Sequence, residues 1–115
     1  MKIVVADDEP DMREYFLRML THLGHEVLAI AKNGEELVQI CQLESPDLII
    51  TDLNMPVMNG DQAIERIWGT MNIPVVIVSA FQCPEKLLSN TPHPPLRYLN
   101  KPINRIQLKE ILESI

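Results

Sequence analysis

Short apolar runs alternate along the chain with stretches in which apolar residues recur every three or four positions. Ile3, Val4 and Val5 are contiguous and β-prone, which predicts a buried strand over Lys2 to Ala6. Asp7, Asp8 and Glu9 follow at its carboxyl end, and Pro10 suits the first position of a helix. Met12, Tyr15, Phe16, Met19, Leu20 and Leu23 then repeat at helical spacing until Gly24. Glu26 to Ala31 reads as a second strand. Asn33 predicts the cap of the next helix, with Glu36 closing a capping box and Leu37, Ile40 and Cys41 facing inward. Pro46 precedes another apolar run, Leu48 to Ile50, which stops abruptly at Asp52, with a Met-Pro turn signal just beyond. After Asn59-Gly60, the residues Ala63, Ile64, Ile67 and Trp68 share one side of a third helix, where Trp68 reads as packing. Pro74 opens a fourth strand that ends at Ser79, and Leu96 to Leu99 form a short fifth strand before Lys101-Pro102. Asn104 and Gln107 box the start of a last helix, with Leu108, Ile111, Leu112 and Ile115 as its apolar face.

Strands that alternate with helical patterns imply a parallel sheet covered on both faces. Right-handed crossovers leave few topologies for it. Composition narrows the class further. The 115 residues suit one domain, and 46% apolar content excludes disorder. No run approaches the roughly 20 apolar residues of a membrane span, so membrane insertion is not expected. The opening MKIVVADDEP lacks the long apolar run of a signal peptide. A net charge of −6 and the absence of a basic stripe argue against direct nucleic-acid binding. Cys41 on a helix and Cys83 in a loop have no metal-ligand spacing and read as reduced thiols. A cytoplasmic location is the expectation. His22, His25 and His93 are scattered and suggest no shared site.

The strand ends carry the chemistry. Asp7 and Asp8 end the first strand, Asp52 the third, Ser79 the fourth, and Lys101 the fifth. In a parallel sheet all these carboxyl ends share one edge, the edge where open α/β sheets bind ligands. Asp52 alone reads equally as a loop cap or as a reactive carboxylate. The company of the others favours the second reading. Two carboxylates about 4 Å apart repel by roughly 4 kcal/mol at an effective dielectric near 20, so acids crowded at a strand end call for a cation. Carboxylates suit Mg²⁺, a lysine and a metal neutralise a transferring phosphoryl group, and an attacking carboxylate becomes an acyl phosphate.

The stretches VVADDEP, DLIITDLNMPVMNG, PVVIVSA and YLNKP resemble the receiver domains of two-component response regulators, the CheY-like family, over nearly the whole chain. The resemblance implies one receiver domain over residues 1–115, a flavodoxin-like five-stranded parallel sheet ordered 2-1-3-4-5, and a bound Mg²⁺. It implies Asp52 as phosphoacceptor. Asp8, Asp52 and the backbone carbonyl of Asn54 would be metal ligands, with Asp7 acting through water. Ser79 would follow the phosphoryl group, Lys101 would pair with its oxygens, and Tyr98 would move when Ser79 moves. The Lys101-Pro102 bond is commonly cis in that family. The implied partners are a histidine kinase or phosphotransfer protein and a downstream protein. Such a module catalyses its own phosphorylation and dephosphorylation.

One region departs from that family. FQCPEKLLSNTPHPPLRY contains Pro84, Pro92, Pro94 and Pro95 and no glycine, where a receiver has a full fourth helix. Pro84 suits a first turn, so a short helix over Glu85 to Ser89 is predicted, followed by an extended return. The Asn90 to Pro95 loop would then present a different surface, and a dimer through the usual face is less expected. A receiver-like docking module that works without phosphorylation is the alternative function. A flavodoxin-like cofactor protein would need a Ser/Thr/Gly-rich phosphate loop where Asp7, Asp8 and Glu9 stand. A phosphatase with an aspartate nucleophile would want a carboxylate where Asn54 stands.

Overall fold

The computed structural model describes residues 1–89 and 92–115. In chain order the elements are β1 (Lys2–Ala6), α1 (Pro10–His22), β2 (Glu26–Ala31), α2 (Gly34–Glu44), β3 (Leu48–Thr51), α3 (Gly60–Trp68), β4 (Val75–Ser79), α4 (Glu85–Ser89), β5 (Leu96–Asn100) and α5 (Arg105–Glu113). The strands form one parallel sheet in the order β2-β1-β3-β4-β5. This is the flavodoxin-like α/β fold that the sequence predicts.

Alternation along the strands divides the core in two. Ile3, Val5, Leu48, Ile50, Val76 and Val78 point to the side where Phe16, Leu20, Leu108 and Leu112 pack from α1 and α5. Val4, Ala6, Ile49, Val75 and Ile77 point to the other, against Leu37, Cys41, Ala63, Ile64 and Ile67 of α2 and α3. The central strands β3 and β4 are buried along their whole length, which explains their unbroken apolar runs. The edge strands β2 and β5 are only half-buried and carry the charged residues Glu26 and Arg97.

Caps follow the side-chain chemistry with one displacement. At α5 the Asn104–Gln107 box closes in both directions, at 2.8 and 3.0 Å. At α2 the Glu36 N–H donates to Asn33 Oδ1 at 2.9 Å, but the Glu36 carboxylate accepts from the Lys32 N–H at 2.8 Å, one residue before the expected one. Only half of the expected box therefore forms. Ile115 also departs from expectation: α5 ends at Glu113, so Ile115 falls beyond the helix and is exposed.

The region after β4 is shortened as its prolines require. α4 has five residues, and Leu87 N–H donates to the Pro84 carbonyl in its first turn. Pro92, Pro94 and Pro95 lie outside helix and strand, and Asn90 and Thr91 of the expected loop fall outside the described residues. The segment is fastened to α3 at two points. Lys86 pairs with Glu65 at 3.2 Å, and His93 stacks flat on Trp68 with centroids 5.4 Å apart. Trp68 Nε1 donates to the Ile73 carbonyl at 2.8 Å, so its role is packing, as its position suggests.

Two glycines allow the helices to approach the functional edge. A Cβ at Gly34 would meet the carbonyls of Met58 and Asn59, where the Gly34 N–H donates to Met58 O at 2.9 Å. A Cβ at Gly60 would land on the Asp52 carbonyl and lie 3.2 Å from the Leu53 Cα. Both obstacles are backbone, which cannot swing aside. Gly60→Ala is therefore expected to destabilise the fold by about 1–3 kcal/mol, as overpacking does, and to displace Asp52. Urea denaturation of the two proteins checks the first effect.

Candidate functional site

Asp7, Asp52 and Lys101 each follow immediately on a strand, and a backbone bond to the neighbouring strand fixes each of them. Asp7 N–H donates to Ala31 O at 3.1 Å, Asp52 N–H to Ala6 O at 3.0 Å, and Lys101 N–H to Ser79 O at 2.9 Å. The register pairs Ala6 with Thr51 and Ser79 with Asn100, so Asp7 stands beside Asp52 and Lys101 beside Ser79. The ladder sets the side-chain positions before any side-chain contact is made.

The side chains then converge on one ammonium. Lys101 Nζ lies 2.9 Å from Asp52 Oδ2, 3.0 Å from Asp7 Oδ2 and 3.1 Å from Glu9 Oε1. The Asp52 Oδ1 accepts from the Leu53 N–H at 2.7 Å, and Asp7 Oδ1 accepts from the Glu9 N–H at 2.9 Å. Arg13 Nη1 donates to the Asp7 carbonyl at 3.1 Å and ties α1 to the same strand end. The Lys101-Pro102 peptide is cis. Carboxylate oxygens of Asp7, Asp8, Glu9 and Asp52 all lie within 4.8 Å of one another.

Burial and pairing compete in the titration of the site. Burial pushes Asp7 above the ordinary carboxylate range, while the Glu9 N–H and the Lys101 ammonium pull it down and lose. Burial also works against the Lys101 ammonium, but hydrogen bonds to Asp52, Asp7 and Glu9 outweigh it and hold its pKa above the ordinary lysine value. The two directions are compatible. Asp7 shares its cation with two other acids, whereas Lys101 has all three acids to itself.

The remaining predicted residues stand around this centre. Ser79 is fully buried, and its Oγ accepts from the Phe81 N–H at 3.2 Å. Tyr98 lies on β5 and packs against the core beneath α4. Its hydroxyl is buried and finds no hydrogen-bond partner among the described residues. Burial raises its pKa, with the charges of Cys83 and Asp52 adding to the effect. Asn54 is exposed in the loop after β3. That loop is pinned where the Gly60 N–H meets Leu53 O at 2.8 Å, and where the Met55 N–H meets Asn59 Oδ1 at 3.3 Å. Within it Val57 holds φ of 68°, a left-handed backbone that costs a β-branched residue roughly 1–2 kcal/mol.

All the acids at the strand ends, Lys101 and Ser79 thus share one edge. Sequence reasoning assigned Lys101 to a phosphoryl group and did not give it to Glu9. It also passed over Arg13. Glu9 was legible as one of three consecutive acids. Nothing in the sequence specified a bond from Arg13 to a backbone carbonyl.

The set is all oxygen, which suits a hard divalent cation such as Mg²⁺. Lys101 is a cation that holds Asp7, Glu9 and Asp52 together. Removing one partner of a buried ion pair costs about 3–5 kcal/mol. Lys101→Met is therefore expected to destabilise the metal-free protein by roughly 3 kcal/mol at neutral pH. The deficit should shrink towards pH 4. A carboxyl with a raised folded pKa binds its proton more readily in the native state, and protonated Asp7 needs no cation. The wild-type advantage should last up to the ordinary lysine pKa of 10.5 and fade above it, as Lys101 loses its proton. Urea titrations in EDTA across this pH range check both limbs.

Comparisons with known proteins agree with this geometry. The family model described as response regulator receiver domain matches residues 3–113. A protein-glutamate methylesterase/protein-glutamine glutaminase of Mesorhizobium japonicum is 41% identical over 81 residues, covering 70% of this chain and 24% of that protein. The transcriptional regulatory protein PdtaR of Mycobacterium tuberculosis is 30% identical over 112 residues, covering 97% of this chain and 55% of that protein. The chain thus spans about half, or less, of the length of these curated relatives. Among solved structures, the response regulator domain of Thermotoga maritima CheB superposes with a TM-score of 0.83 at 25% identity, covering 99% of this chain and 92% of that one. A DNA-binding response regulator of the LuxR family from Staphylococcus aureus gives a TM-score of 0.86 at 26% identity, covering 98% and 96%.

Proposed function

The chain belongs to the response regulator receiver domains, and we propose that it is a phosphoacceptor whose reactive residue is Asp52. The observation that carries this reading is the ammonium of Lys101 set between Asp52 and Asp7, with Asp8 in reach, at the carboxyl edge of the sheet. Receiver domains take phosphoryl groups from histidine kinases or phosphotransfer proteins, and a protein of that kind is the proposed donor here. An Asp52 carboxylate oxygen attacks the phosphorus of a phosphohistidine. The O–P bond forms, the P–N bond breaks, and the imidazole nitrogen keeps the electron pair and takes a proton from water.

Asp8, Asp52 and the Asn54 carbonyl would hold Mg²⁺, with Asp7 acting through water. When bound, the metal supplies charge neutralisation for the phosphoryl oxygens. Lys101 contributes a second positive charge. The Ser79 hydroxyl exchanges its contact with the Phe81 N–H for a charge-assisted bond to a phosphoryl oxygen. The Tyr98 hydroxyl is unpartnered among the described residues, and the ring takes a new position when Ser79 moves. A downstream protein reads the change on the face made by α4, β5 and α5. The five-residue α4 makes that face unlike one built on a full helix, which favours a specialised partner over a symmetric dimer. Residues 1–115 act as one receiver unit in this reading, working in the cytoplasm.

A docking module that works without phosphorylation draws only on the shortened α4. It leaves unexplained why two buried carboxylates are kept around one lysine. Incubation with a small phosphodonor and Mg²⁺ is expected to add one phosphoryl group, read by mass spectrometry. Asp52→Asn and EDTA should each abolish the addition. Labelling that survives either change would refute Asp52 as a metal-assisted acceptor. The Tyr98 ring resonances are expected to shift when a phosphoryl mimic is added, and to stay fixed in Ser79→Ala.

A further inference from the structure

An ammonium has three N–H donors, and in this structure all three of Lys101's are taken, by Asp7, Asp52 and Glu9. A phosphoryl group on Asp52 brings new anionic oxygens that need the same ammonium. Phosphorylation also consumes the Asp52 carboxylate charge, so one phosphoryl oxygen inherits the donor that Asp52 held, and a second competes for one of the two donors that remain. We propose that Glu9 is a positioning residue whose carboxylate holds, on Lys101, the place that a phosphoryl oxygen takes; this rests on the reading of Asp52 as the phosphoacceptor.

Burial decides which contact yields. The side chains of Asp7 and Asp52 are 1% and 8% exposed, whereas that of Glu9 is 59% exposed. Of the two carboxylates that remain once Asp52 carries the phosphoryl group, Asp7 would stay desolvated and unpaired if released. The Glu9 carboxylate is instead rehydrated as it leaves, so its release is the less costly of the two. The motion required is also small. The Glu9 N–H is bonded to Asp7 Oδ1 at 2.9 Å, which fixes its main chain while the side chain swings outward. Before transfer, Glu9 keeps Nζ centred between Asp7 and Asp52. After transfer, Nζ is already in place and has exchanged one oxygen for another.

Glu9 also belongs to the acid cluster, so a role as metal ligand must be separated from a role on Lys101. Glu9→Asp does this. It keeps the charge but shortens the arm by about 1.5 Å, which takes a 3.1 Å contact out of hydrogen-bond range. Beryllium fluoride with Mg²⁺ serves as the phosphoryl mimic, and its affinity is measured by calorimetry for the wild type, Glu9→Asp, Glu9→Ala and Asp52→Asn. Mg²⁺ alone is titrated in parallel.

Both Glu9 variants are expected to bind the mimic about two- to fivefold more tightly, the range an exposed ion pair spans. Glu9→Asp should leave the affinity for Mg²⁺ alone within about twofold, because the local charge is unchanged. Three results would overturn the proposal. Glu9→Asp binding the mimic as the wild type does would show that only charge matters. Weaker mimic binding by either variant would show that Glu9 assists the bound state. A loss of Mg²⁺ affinity by an order of magnitude in Glu9→Asp would make Glu9 a metal ligand. If the wild type fails to bind the mimic, or Asp52→Asn binds it equally well, the phosphoacceptor reading falls and takes this proposal with it. Unaltered binding in the Glu9 variants beside a silent Asp52→Asn overturns the role of Glu9 alone.

Discussion

The contact of Lys101 Nζ with Asp52 and Asp7, at 2.9 and 3.0 Å, joins the last strand of the sheet to the third and the first. Neither carboxylate is stable where it lies without a cation, because both are withdrawn from water and stand side by side. The ammonium answers that need across more than forty residues of sequence in each case. The arrangement depends in turn on the sheet order. β3 must lie next to β1 to pair the acids, and β4 must lie between β3 and β5 for Lys101 to reach them from beside Ser79. This charged edge is therefore a property of the whole sheet. Its rigidity comes from backbone ladders buried among Val, Ile and Leu side chains on both faces.

The same edge shows how a stable fold stores an unfavourable charge distribution. Asp7 is held above the ordinary carboxylate range by burial even with a lysine in contact. Positioning such a group uses stability gained elsewhere, and here that is the apolar core directly beneath it. Gly60 has a matching role on the backbone side. The start of α3 approaches so closely that no side chain fits between it and the Asp52 carbonyl. Asp52 is thereby clamped by Gly60 behind, by the Leu53 N–H on one oxygen and by Lys101 on the other.

Much of this was legible in the residues. Contiguous runs such as VVIVS were legible as parallel strands, and the acids, the serine and the lysine stood where those runs stopped. The strand order itself came with the family resemblance, because periodicity says nothing about which strands are neighbours. The prolines after Pro84 limited α4 correctly, since their geometry is local. Long-range side-chain choices were not legible. Glu36 caps Lys32 instead of Asn33, and Glu9 turns back to Lys101. Both depend on where a flexible side chain finds its nearest donor once the chain is folded. Ile115 was misread because a periodic pattern does not reveal where a terminal helix ends.

The flat stack of His93 on Trp68 gives the molecule an optical property. Trp68 is the chain's one tryptophan, so its tryptophan emission comes from a single place, the end of α3 where the proline-rich return lies against it. One face of the indole meets an imidazole, and its N–H is held by the Ile73 carbonyl. Undocking of the return would expose that face to water and change the colour and lifetime of the emission. The protein thus carries an intrinsic fluorophore against its proline-rich return, and the attachment of that return can be followed without a label.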